Sequence, residues 1–75
     1  MNPPDAEDAL AQAERHVREG EERIGRQIAL IEKLDGGGHE TDTAQQLLDL
    51  FQDVLELWRV ALVRIRGRME VNRVS

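Results

Sequence analysis

Apolar residues recur along this chain at intervals of seven, in two long stretches separated by a glycine-rich break. In the first stretch, Leu10, Val17, Ile24 and Ile31 form one series, and Ala6, Ala13, Gly20, Gln27 and Leu34 form its companion. Two series offset by three and four residues make a stripe down one face of a helix. Ile28 and Leu30 widen that stripe toward its end. The spacing predicts a helix over 5–35. Glu14–Arg18, Glu19–Arg23 and Glu22–Arg26 are acid-first pairs four residues apart, each adding about 0.3 kcal/mol. Asp5, Glu7 and Asp8 suit the positive end of its dipole.

The second stretch is broader. Ala44, Phe51, Trp58 and Ile65 are seven apart, and Leu47, Val54 and Ala61 are the companion series expected to face the first helix. Leu48, Leu55, Leu62 and Met69 make a third series, and Leu50 with Leu57 a fourth. This predicts a helix over 42–68 that frays after Gly67, leaving 69–75 as a C-terminal tail and 1–4 as an N-terminal arm. Between the helices, a turn at 36–41 carries Gly36-Gly37-Gly38. Gly36 or a neighbour can take the left-handed position that ends a helix. Thr41, Asp42 and Thr43 each offer a cap oxygen to the second helix, and Thr43-Ala44-Gln45-Gln46 also fits a capping box. Two helices of similar length and a short turn imply an all-α, antiparallel two-helix hairpin. If it closes evenly about the turn, Ile31 lies near Leu47, Ile24 near Val54, and Gly20 clears space for Trp58.

A single hairpin leaves the extra leucines of the second helix uncovered. Leu48, Leu50, Phe51, Val54, Leu55, Leu57, Trp58 and Leu62 are therefore the candidate dimer or partner interface. Small scaffolds without disulfides or metals commonly gain stability by association. The economical solution is a homodimer in which two hairpins form a four-helix bundle, the second helix meeting its own copy near Phe51, Leu55 and Trp58. A helix from a different protein could cover the same stripe, as in small acidic antitoxin-like or anti-regulator proteins.

Charge sharpens this picture. The 75 residues carry a net charge of −5, unevenly spread. Residues 5–35 hold nine acids and five bases, and residues 39–58 hold five acids and no Lys or Arg. Then Arg59, Arg64, Arg66, Arg68 and Arg73 stand against Glu70 alone. An acidic chain argues against general nucleic-acid binding, leaving a contact through the arginine-rich end as a lesser alternative. That end is expected to be solvated, to recruit an acidic partner, or to pair with acids such as Asp5, Glu7 and Asp8.

Candidate chemistry is thin. With no cysteine there is no thiolate ligand or thiol nucleophile. Neither His16 nor His39 lies in an E-x-x-H or H-E-x-x-H segment, so neither a di-iron nor a zinc site is indicated. The glycine run lacks the lysine and the preceding strand of a phosphate loop. Thr41, Thr43 and Ser75 are the only hydroxyl side chains, with no positioned acid in so short a turn. The expectation is a non-enzymatic protein without cofactor or metal. No apolar run reaches the roughly 20 residues of a membrane span, and the start at Met1-Asn2-Pro3-Pro4-Asp5 does not read as a signal peptide, so a cytoplasmic location is expected.

His16-Val17-Arg18-Glu19-Gly20-Glu21-Glu22-Arg23-Ile24, Leu30-Ile31-Glu32-Lys33-Leu34 and Gly38-His39-Glu40-Thr41 carry a family resemblance. Over about residues 14–58 the chain resembles short, uncharacterised bacterial two-helix proteins with an H-x-x-E-G-E-x-x-I segment and a G-H-x-T turn. That resemblance implies no activity. It does imply that Gly38, His39 and Thr41 form a specific turn-and-cap structure. Members often carry a histidine at, or a few residues after, the position where this chain has Trp58.

Overall fold

The computed structural model describes the backbone of residues 6–74 and the side chains of residues 7–71. Helix α1 spans Ala6–Gly36 and helix α2 spans Asp42–Val74, packed side by side as an antiparallel hairpin. The expected N-terminal arm at 1–4 lies outside the described residues. α2 does not fray at Gly67 but continues to Val74. The sequence Arg68-Met69-Glu70-Val71 contains no breaker, and Met69 is half-buried, so one more turn of packing supports the end of the helix.

The turn follows from local chemistry. Gly38 sits at φ +77°, a left-handed conformation that only glycine adopts without a Cβ penalty. The His39 amide donates to the Leu34 carbonyl at 2.9 Å and the Gly38 amide to the Asp35 carbonyl at 3.0 Å. This pair of bonds closes α1 in a Schellman arrangement. The expected left-handed glycine is thus the third of the run. Thr41 is the N-cap residue of α2, its carbonyl accepting the first helical bond from the Gln45 amide at 2.9 Å. The Asp42 amide, otherwise an orphan donor, donates to Glu40 Oε1 at 2.6 Å. The cap is therefore at Thr41, not at the Thr43 capping box.

The helices meet through a/e-type spacing on α2. Leu55 and Leu62 are buried, while Ala44, Leu48, Phe51, Trp58, Ile65 and Met69 are half-buried. On α1 the same seam holds buried Ala13 and Gln27, with Gly20, Ile24, Ile31 and Leu34 half-buried. Leu47 and Val54, expected to face α1, are instead 41% and 42% exposed. The physical reason is continuity. The series running from Ala44 and Leu48 to Ile65 and Met69 stays apolar along the whole contact, whereas the one through Leu47, Val54 and Ala61 runs on to Arg68. Packing the latter against α1 would desolvate a guanidinium group.

The register also differs by a fraction of a turn from a symmetric closure. Gly20 faces Leu55 rather than Trp58: a Cβ at Gly20 would stand 3.0 Å from Leu55 Cδ1. Small residues on α1 thus receive leucines from α2. Gly20→Leu is expected to lower the unfolding free energy by about 1–3 kcal/mol through overpacking, read by urea denaturation. Gly25 has the opposite character, since nothing lies within 4 Å of where its Cβ would be. Gly25→Ala should raise stability by about 1 kcal/mol through helix propensity alone, in the same assay.

Gln27 is the buried polar side chain of the seam, 7% exposed, and its Nε2 donates to the Ala44 carbonyl at 2.8 Å. A buried amide satisfied across the interface disfavours sliding of one helix along the other, because any other register leaves it unpaired.

Candidate functional site: an open apolar groove

The hairpin measures 58 × 23 × 14 Å. Its thinnest dimension is little more than one helix diameter of about 10–12 Å. Each helix therefore has one neighbour, and the two long edges of the seam differ in chemistry.

One edge is bridged by charge, beside a recess of about 250 Å³ lined by Glu21, Ile24, Gln52, Leu55 and Arg59. Arg59 reaches Glu21 and Arg66 reaches Glu14, each at 3.6 Å, one heptad apart on both helices. Two of the five arginines of the basic run are thereby answered within the chain. Their partners are Glu14 and Glu21, whereas Asp5 lies outside the described residues. All four side chains are about half exposed, so each pair contributes at most about 1 kcal/mol. Glu14 spans the two helices here instead of serving Arg18 on its own.

The other edge is open and apolar. His16, Glu19, Gly20 and Arg23 of α1 and Leu50, Phe51, Val54, Leu55 and Trp58 of α2 line a groove of about 260 Å³. Its floor is built from two rungs one heptad apart. The His16 imidazole stacks on the Trp58 indole, with centroids 4.0 Å apart and planes at 17°. The Arg23 guanidinium lies over the Phe51 ring, 5.5 Å from its centroid, within cation–π range. Each aromatic ring of α2 is thus roofed by a polar side chain of α1, which leaves the flanking aliphatic residues to define the outer lip. Leu50 is 55% exposed and Val54 42% exposed on that lip, and Leu57, 70% exposed, continues the same stripe outside the groove lining.

The expected interface residues consequently divide. Leu50, Val54 and Leu57 face outward and remain candidates. Phe51 and Trp58 are half-buried at the groove floor, and Leu48 is half-buried in the seam. Leu55 and Leu62 are buried against α1, 4% and 8% exposed, and serve the hairpin's own core, Leu55 reaching solvent at the groove floor. Leu47 joins the outward set, although its place in the second heptad series had pointed it inward. A signal for this stripe was available in the spacing of Leu47, Leu50, Val54, Leu57 and Ala61, alternately three and four residues apart. His16 and Arg23 gave no comparable signal, because their roofing role depends on where α2 lies.

Gly38, His39 and Thr41 hold the turn at the end of the hairpin, and the His39 ring rests against Gly37. Among the described residues, no cluster of three or more His, Asp or Glu side chains is placed to hold a metal ion. Among them also, no helix is long and apolar enough to cross a membrane. No protein-family model matches the chain, and no curated protein or solved structure matches it either.

Proposed function

We propose that this protein is a small, non-catalytic interaction module that associates with a second copy of itself, two hairpins packing into a four-helix bundle through the open face of α2. The observation that carries the reading is the outward stripe of Leu47, Leu50, Val54 and Leu57 on a hairpin one helix thick. A contiguous apolar stripe of this length left open to solvent marks an association surface. The bundle would act as a scaffold, presenting its charged outer faces while the stripe is consumed in assembly. An interior location is the natural setting for such a module and belongs to the same proposal.

Light scattering across a dilution series tests it. A molar mass near twice 8.5 kDa, falling only at high dilution, is the expected result. A mass of 8.5 kDa at every concentration would remove self-association and assign the stripe to a different protein's helix.

A further inference from the structure

Resting on that self-association, we infer that the second copy docks with its α2 antiparallel to this one, and that Arg64 and Arg68 read the partner's Asp53 and Asp49. The outward stripe does not end at Ala61. Continued at the same three- and four-residue steps, it runs through Arg64 and Arg68 to Val71. Gly67 and Val71 line a shallow apolar surface together with those two arginines.

Charge along α2 is segregated. Its first half carries Asp42, Asp49, Asp53 and Glu56 with no base, and its second half carries five arginines against Glu70. Arg59 and Arg66 are engaged by Glu21 and Glu14 on the charged edge. Among the described residues, Arg64, Arg68, Asp49 and Asp53 make no ion pair within the hairpin, and all four are exposed. A parallel pairing would set acid against acid and arginine against arginine. An antiparallel one sets each half against its complement and opposes the two helix dipoles.

The two-fold axis that uses the whole stripe passes near Arg59, close to the middle of α2. Leu57 then meets the partner's Ala61 and Leu47 meets the partner's Val71. Arg64 and Arg68 fall beside the partner's Val54 and Leu50, with Asp53 and Asp49 one position away. Arginine suits such sites because its alkyl stem covers apolar surface while its head reaches outward to a carboxylate. The two glycine turns lie at opposite ends of the bundle.

Charge reversal within one chain tests the orientation. Asp53→Arg and Arg64→Asp are each expected to weaken the dimer about tenfold in sedimentation equilibrium, since two symmetric attractions become repulsions. The double variant, Asp53→Arg with Arg64→Asp, should recover to within about twofold, because the pair is re-formed with its signs exchanged. A double variant no tighter than the singles, or singles with unaltered dimerisation, would overturn the antiparallel pairing while leaving the dimer standing. A monomeric unaltered chain in the same runs would instead remove the underlying self-association. Far-UV circular dichroism separates both from misfolding, since neither side chain has a partner within the hairpin.

Discussion

Leu55→Ala is expected to lose about 2–5 kcal/mol of unfolding free energy, the largest effect of any single truncation in this chain. Leu55 is 4% exposed and sits at the middle of α2, where Gly20 lets the two helices approach. Removing its branched end takes away buried carbon and leaves a void that two long, stiff helices are poorly able to collapse. The whole hairpin has about 4–11 kcal/mol to lose at typical stability per residue. The variant should therefore be partly unfolded at low concentration. Urea denaturation followed by circular dichroism at fixed protein concentration reads it, concentration being held because association stabilises the folded chain. Adding Gly20→Ala should recover part of the loss, since the new methyl group enters the space Leu55 vacated. A double variant as unstable as the simple sum of its parts would show that Gly20 and Leu55 do not share that space.

The second large effect concerns the outward face. Leu57→Glu should raise the dimer dissociation constant at least a hundredfold, with a smaller change in the fold of the individual hairpin. Leu57 is 70% exposed, so the charge is not buried in the hairpin itself. In the proposed bundle Leu57 lies within one turn of the dyad and faces the partner's Ala61, so the two carboxylates are brought close together in an apolar part of the seam. Desolvating unpaired charge costs several kcal/mol, far more than the lost contact area of the leucine. Light scattering measures the outcome directly. A Leu57→Glu chain that still runs as a dimer would move the interface off this stripe, whereas Leu55→Ala would be unaffected by that result. The two predictions therefore separate the inner seam of α2 from its outer one.

That separation marks the boundary between what could be read in the chain and what could not. The hairpin itself was legible because heptad spacing, a Gly36-Gly37-Gly38 break and cap residues at Thr41 are local signals, each acting within one or two helical turns. The four apolar series of α2 were equally legible, and so was the conclusion that one partner helix could not cover them all. Which series turned inward was not. Ala44 through Ile65 can be combined either with Leu47, Val54 and Ala61 or with Leu48, Leu55, Leu62 and Met69 at the spacing of a helix seam, and local periodicity treats the two alike.

The choice belongs to the tertiary structure, because it depends on the far end of the contact. Only there does Arg68 make one seam costly to bury while Met69 keeps the other apolar. The same is true of His16 and Arg23. As sequence they are a lone histidine and one arginine among many, and they become the roof over Trp58 and Phe51 only through the register that Gln27 and Gly20 set between the helices. The amino-acid sequence alone determined two amphipathic helices, the glycine turn and an excess of apolar surface, since these arise from neighbours along one chain. The tertiary structure decided which leucines are core and which remain exposed, since that follows from the relative rotation of two helices and from the desolvation cost summed along their full length.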